Sequence, residues 1–248
     1  MGGLVNFYRS QEAWVQAYTR DISDVDRARC ERVERLVGPS PKTVLELGAG
    51  GGQTAVSLAE LGYDTTVVEM VPEFVQHIAK LSKSQGVHLR VFPESFYTVQ
   101  LESNRYDLVC YWDGFGVGSD GEQRQLLERV ASWLKNDGLA LFEVYSPWYW
   151  SRIRGRSMRF GKIVRRYDFD YRDCRFVDTW QIEGGDNPSV SQSLRCYSPM
   201  DLELLLHGTG LEIVSIELGG AYDHDTGTFR AQAPIEDAMT YFALLRGR

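Results

Sequence analysis

The stretch that decides the fold is "VLELGAGGG", Val44 to Gly52, an apolar run that gives way to four glycines in five residues, with Glu46 at its edge. A short apolar run reads as a buried strand, and glycine is demanded where the backbone takes positive φ or must lie against a ligand. A turn alone rarely needs four glycines. A loop between a strand end and a helix start also presents backbone amides, so the stretch predicts a cradle for a bound cofactor. The dinucleotide fingerprint requires GxGxxG, but counted from Gly48 its third glycine falls on Gln53, and the pattern here is GxGxG.

Outward from the loop, the chain alternates short apolar runs with helical stretches, the rhythm of a parallel sheet covered on both faces. "TVLEL" is a first strand, and residues 53 to 61 a helix carrying Ala55, Leu58 and Ala59, capped by Gly62. "TTVVE" is a second strand; Pro72 opens a helix whose inward stripe is Phe74, Val75, Ile78 and Ala79. "HLRVF" and "YDLVCYW" follow as strands. Residues 121 to 136 form a helix with Leu126, Leu127, Val130, Ala131 and Leu134 on one face, stopped by Asn136-Asp137-Gly138, and "LALFEVY" is strand five. After Pro147, "VRRYDFDY", "CRFVDTWQI" and "SVSQSLRCY" are rich in aromatic and β-branched residues and broken by turn signals such as Gly184 to Pro188. They predict a small antiparallel insert. A helix from Ser198-Pro199 with Leu202, Leu205 and Leu206, then "LEIVSIEL" and "MTYFALL", closes the sheet. The expected organisation is a helical cap (1–40), a core (41–147), an antiparallel flap (148–197) and the C-terminal part of the core (198–248).

Composition limits the partners. A chain of 248 residues that is 43% hydrophobic can bury a full core, and its net charge of −7 argues against a nucleic-acid binder, because a polyanion needs a basic face. The start of the chain has neither the basic nor the apolar region of a leader, and no apolar run reaches membrane-spanning length, so a cytoplasmic protein without a membrane partner is expected. Cys30, Cys110, Cys174 and Cys196 lie far apart without a CxxC pair, which spells neither a zinc site nor a redox motif and predicts reduced thiols packed as small apolar residues.

With Glu46 two residues ahead of the first glycine, "ELGAGGG" resembles the first motif of the class I S-adenosylmethionine-dependent methyltransferases, and the order of elements resembles their seven-stranded Rossmann-like, doubly wound α/β fold. The resemblance runs well from Thr43 to Tyr145 and acceptably over the last two strands. It implies S-adenosylmethionine as cofactor, no metal, and a cradle of Glu46, Gly48, Ala49, Gly50 and Gly52. Glu69, 21 residues after Gly48 at the end of the second strand, takes the place of the carboxylate that bonds the ribose hydroxyls, with Met70 beside it. Where the family often has Gly-Asp after the third strand, this chain has "PESF"; Glu94, Ser95 and Phe96 are then the adenine candidates. Asp113, followed by Gly114, Gly116 and Gly118, faces either the ammonium of the cofactor or the acceptor. Neither an Asn/Asp-Pro-Pro-Tyr nor a Pro-Cys motif is present, which disfavours nucleobase methylation.

The resemblance also directs attention to the N-terminal segment, which folds over the cofactor in related small-molecule enzymes. Arg20 and Tyr18 are cofactor candidates there, while Trp14 is a candidate for the acceptor pocket; Trp14 and Tyr18 at i and i+4 equally suit a packed core. Phe115 and the aromatic run Trp148, Tyr149 and Trp150 complete the expected acceptor wall. From Arg152 to Arg166 there are seven basic residues and no acid, which suits either an anionic acceptor or a solvated loop balanced by Asp168, Asp170 and Asp173. His224 is the one histidine in a loop that could face the site, and is the candidate general base. The function expected is transfer of a methyl group to a nitrogen or oxygen of a small-molecule acceptor; a cofactor-binding module without turnover and a nicotinamide oxidoreductase are the alternatives. The oligomeric state is left open, a homodimer included.

Overall fold

The computed structural model describes residues 2–39, 42–184 and 189–248. The turn read at Gly184 to Pro188 lies outside these from residue 185 onward. Two helices, α1 (Gly2–Val15) and α2 (Asp24–Val37), precede β1 (Thr43–Leu47), α3 (Gln53–Glu60), β2 (Asp64–Val68), α4 (Pro72–Ser84) and β3 (Arg90–Phe92). Next come β4 (Tyr106–Phe115), α5 (Asp120–Trp133), β5 (Leu134–Tyr145) and α6 (Pro147–Arg152). The insert holds β6 (Ser157–Phe160), β7 (Ile163–Asp170), β8 (Arg175–Ile182) and β9 (Val190–Arg195). The chain ends with α7 (Pro199–Leu206), β10 (Leu211–Leu218), a small ribbon of β11 (Ala221–Asp223) and β12 (Thr228–Arg230), and β13 (Thr240–Gly247).

The main sheet has the order β10-β13-β5-β4-β1-β2-β3. All neighbours from β5 to β3 run parallel, whereas β13 is antiparallel to both β5 and β10. The chain leaves β1 on one side toward β2 and β3, then returns to β4 on the other. That reversal opens a crevice at the carboxyl ends of β1 and β4, where ligands of open α/β sheets bind. Alternation along the strands makes two cores. Leu45, Leu47, Val109, Phe142 and Tyr241 pack under α5 and α7, while Val44, Leu108, Cys110, Leu141 and Phe242 pack under α2 and α3. Cys30, Cys110 and Cys196 are buried free thiols, and burial pushes them up, so they serve as small apolar residues.

Three expectations need correction. In α4, Phe74 and Ile78 are buried, but Ala79 is exposed and Leu81 takes its place inward, because the stripe drifts around the helix. Asn136-Asp137-Gly138 does not stop a helix. α5 ends at Trp133, and Leu134 already pairs with Tyr106; the register then slips before Leu139 meets Leu108. Leu134 is buried in the strand, as the helical stripe also required of it, so periodicity alone carried the helix too far. Last, the antiparallel part of the 148–197 flap starts later than residue 148: Pro147 starts α6, a six-residue helix ahead of the four-stranded antiparallel insert sheet β6-β7-β8-β9.

Candidate active site

A cavity of about 370 Å³ opens at the switch point. One end is formed by the loop after β1. Gly48 and Gly50 there have φ of +60° and +55°, in the left-handed region. The loop amides are largely used within the protein: Gly48 and Ala49 donate to Val68 O, Gly52 to Ala49 O, and Gly50 to Glu69 Oε2 at 2.8 Å. The glycines therefore matter chiefly for the space they leave. Gly52 turns away from the cavity; a Cβ there would lie 2.6 Å from Ile78 Cγ1, so its role is close packing of α3 on α4.

Glu69 follows β2 and is 5% exposed. Its Oε1 accepts from Val71 N at 2.7 Å, and burial pushes its carboxyl up to about 7 against the pull of these amide bonds. Glu46, on β1, is raised to about 8 by burial, partly offset by the Arg29 charge, and its Oε2 has no partner among the described residues. A carboxylate oxygen left unpaired at a cavity wall is poised for a donor from a ligand. Ala49, Met70, Glu94, Ser95 and Phe96 line the same end. Phe96 leans on Tyr111 with ring centroids 5.2 Å apart.

Asp113 stands in the middle of the wall. It is a non-glycine residue with φ of +51°, a conformation that persists only where its surroundings over-determine it. Its backbone N donates to Glu143 Oε2 at 3.2 Å, Glu143 pairs with Arg29 at 3.1 Å, and the Tyr145 hydroxyl donates to its Oδ1. The carboxylate has surface open to the cavity yet is ringed by protein. That confinement, with the nearby Glu143 charge, raises its carboxyl above the usual aspartate range.

α1 roofs the cavity with Leu4, Tyr8 and Gln11. Tyr18 packs edge-on to Tyr8 at 5.6 Å and donates to Gln11 Oε1 at 2.5 Å, while Gln53 clamps the segment by donating to Tyr18 O at 2.6 Å and Arg20 O at 2.7 Å. Arg20 reaches the cavity but is held by Asp26, Nη1 to Oδ2 at 2.6 Å and Nη2 to Oδ1 at 3.1 Å. The far end belongs to the insert sheet, through Arg165, Asp178, Trp180 and Gln192.

The structure thus gathers Glu46, Gly48, Ala49, Gly50, Glu69, Met70, Glu94, Ser95, Phe96, Asp113, Tyr18 and Arg20 around one cavity. It takes the expected acceptor residues elsewhere. Trp14 packs near Phe7 and Trp180, and Phe115 sits in the core against Phe142 and Tyr197. Tyr149 and Trp150 are buried beneath the insert sheet, Trp150 stacked on Phe176 at 3.9 Å, and Trp148 is 39% exposed on an outer groove. His224 packs against Tyr149, Tyr167 and Tyr222 outside the cavity lining. Burial lowers its basicity. In the basic run, Arg152, Arg154, Arg156 and Arg159 are paired at the surface with Asp237, Asp168, Asp225 and Glu183, so only Asp168 of the expected acids takes part.

Sequence reading missed Tyr8, Arg29, Tyr145, Arg165, Asp178, Trp180 and Gln192. A signal existed for one of these groups: strict alternation in β7 and β8 already puts Arg165 with Tyr167, and Asp178 with Phe176 and Trp180, on apolar faces.

A family model described as "Methyltransferase domain" matches residues 18–216. A protein of Geobacillus sp. (strain WCH70), named as a methyltransferase, is 27% identical over 113 residues, 45% of this chain; the match spans only about half, 46%, of that protein's length. Among solved structures, the CcbJ methyltransferase of Streptomyces caelestis superposes with a TM-score of 0.74 at 20% identity, over 97% of this chain and 98% of its own. The 1,6-didemethyltoxoflavin-N1-methyltransferase of Burkholderia thailandensis, solved with 1,6-didemethyltoxoflavin and S-adenosylhomocysteine, superposes at 0.63 with 16% identity, over 99% of this chain and 88% of its own. At these identities the structural likeness is one of fold.

Proposed function

The chain belongs to the methyltransferase domain family, and from that premise we propose that it transfers the methyl group of S-adenosylmethionine to a nitrogen or oxygen of a small-molecule acceptor. The observation that carries this reading is one cavity with two unlike ends: a glycine loop with a buried, cation-free carboxylate at one, and a polar sheet face at the other. The Burkholderia thailandensis enzyme, named for N1-methylation of 1,6-didemethyltoxoflavin and solved with it bound, supports the small-molecule part.

The residues present suit the cofactor. Glu69, already fixed by Gly50 N and Val71 N, retains lone pairs for two ribose hydroxyls. Phe96 offers a ring face and Ser95 a hydroxyl for adenine, and the orphaned Glu46 Oε2 is an acceptor for the ammonium end. When bound, S-adenosylmethionine supplies a sulfonium methyl that is already a strong electrophile. What remains for the protein is alignment and the exclusion of water. The Tyr8 and Tyr18 rings of the roof exclude water, and Gln53 keeps their segment in place. Asp113, with its raised carboxyl and the Tyr145 hydroxyl to orient it, is the group equipped to take a proton from the acceptor.

Calorimetry tests the cofactor assignment: S-adenosylhomocysteine binds and NAD does not. Incubation with methyl-labelled S-adenosylmethionine and a set of small amines and alcohols tests turnover. Binding of NAD in place of S-adenosylhomocysteine would overturn the proposal.

A further inference from the structure

The inward face of the insert sheet has a pattern that packing does not require. Its apolar members, Tyr167, Phe176, Val190 and Leu194, are buried as expected of a face turned to the core. Four polar residues stand among them as two cross-strand pairs, Arg165 with Trp180 and Asp178 with Gln192. Arg165 grips Asp178 with two parallel bonds, Nε to Oδ1 and Nη2 to Oδ2, both 2.9 Å. Asp178 is 1% exposed. An ion pair buried like this loses hydration that a hydrocarbon pair of the same volume would not, so stability alone gives no reason for it.

The pair instead fixes its neighbours. The Arg165 guanidinium lies 5.1 Å from the centre of the Trp180 ring, which also stacks on Phe160 at 5.7 Å and 7°. Trp180 and Gln192 both line the cavity, and Trp180 Nε1 and Gln192 Oε1 are buried with no partner among the described residues. One is a donor and the other an acceptor. Both lost bonds are restored by a ligand group that accepts and donates at once.

We propose that Trp180 Nε1 and Gln192 Oε1, positioned by the Arg165–Asp178 pair, form the acceptor-recognition subsite, and that it takes a neutral carboxamide or hydroxyl rather than a carboxylate or phosphate. The inference rests on the methyltransferase reading, because it assigns the end of the cavity opposite the cofactor loop. Charge excludes the anions. Arg20, Arg29 and Arg165 are each already paired with an acid, while Glu46, Glu69 and Asp113 have no ion-pair partner among the described residues. An anion entering here meets three acids with no ion pair of their own, and among the described residues each arginine lining the cavity is already engaged.

The test uses the full chain, ¹⁵N-labelled and saturated with S-adenosylhomocysteine, and follows the indole N–H resonance that Trp180→Phe removes. The probes are N-methylacetamide, ethylene glycol, propionate and methyl phosphate, at concentrations suited to the weak affinity of so few atoms. N-methylacetamide or ethylene glycol is expected to shift that resonance saturably, and the stronger of the two identifies the amide or the hydroxyl as the preferred group. Gln192→Leu should weaken that probe about tenfold, one lost hydrogen bond, with S-adenosylhomocysteine affinity unchanged and the melting temperature not lowered, since an unpartnered buried acceptor is removed. A response to propionate or methyl phosphate as strong as to the neutral probes overturns the subsite, as does a silent indole or full affinity in Gln192→Leu. Failure of S-adenosylhomocysteine itself to bind defeats the methyltransferase reading instead, and is seen before any probe is added.

Discussion

In the proposed site two side chains, Glu69 and Tyr145, have roles that mutation can separate. Glu69 is fixed by two backbone amides and offers its remaining lone pairs to the cavity. Glu69→Ala should lower S-adenosylhomocysteine affinity by ten- to a hundredfold, because charge-assisted hydrogen bonds are worth about 1.5–3 kcal/mol each before compensation. Calorimetry on a variant with wild-type circular dichroism measures this, and unchanged affinity would remove Glu69 from the site. In the proposed mechanism Tyr145 acts through Asp113, to which its hydroxyl donates. Its hydroxyl stabilises the ionised carboxylate, so Tyr145→Phe should raise the Asp113 carboxyl further and move the acid limb of the kcat profile to higher pH. Cofactor affinity should stay within about threefold, or ~0.7 kcal/mol. A profile that does not move would show that Asp113 does not titrate in the rate-limiting step.

At the scale of elements, the aromatic run at α6 gives a sharp contrast. Trp150 is 3% exposed, stacks on Phe176 and donates from Nε1 to Met239 O at 2.8 Å, whereas Trp148 is 39% exposed. Trp150→Ala should cost about 3–5 kcal/mol, the usual price of an aromatic removed from a core, and Trp148→Ala less than ~1 kcal/mol in the same denaturant titration. Equal losses would contradict the packing described for α6. The contrast also marks how far the sequence could be read. The cofactor end was legible because its residues sit within a few positions of strand ends that hydrophobic runs and glycines locate. The same alternation located β7, β8 and β9. The acceptor end was not legible, because its composition comes from register: Gln192 faces the cavity only once β9 pairs with β8, and Tyr8 and Arg29 arrive on helices without a motif of their own. Aromatic residues next to a predicted insert drew attention, yet aromatics are what a sheet-to-insert junction buries as its own core.

For the molecule as a whole, the cavity gathers acids whose ionisation works against folding. Glu69 and Glu46 are raised by burial to about 7 and about 8, and Asp113 is raised as well. In the unfolded chain such groups titrate near pH 4. Between about pH 4.5 and pH 8 the folded protein therefore holds more protons than the unfolded one, and stability falls as pH rises through this window, on the scale of ~1.4 kcal/mol per pKa unit. His224 acts in the opposite sense: its lowered value means that stability is lost as pH falls through its own range, so the cleanest comparison lies above about pH 6.5. Urea midpoints of the ligand-free protein should drop from about pH 6.5 to pH 8, and Glu46→Gln, which keeps the shape but cannot ionise, should flatten the fall. Under the proposed role of Glu69, a donor from the cofactor reverses the penalty there, since ribose hydroxyls would favour its ionised form. The stabilisation given by saturating S-adenosylhomocysteine should accordingly be larger at about pH 8 than at pH 6.5, the binding energy offsetting the cost of charge that the empty cavity bears alone. Midpoints that are flat or rise with pH in the ligand-free protein would mean that water or a rearranged Arg29 already compensates these acids, and the site would not be held in readiness at the expense of the fold.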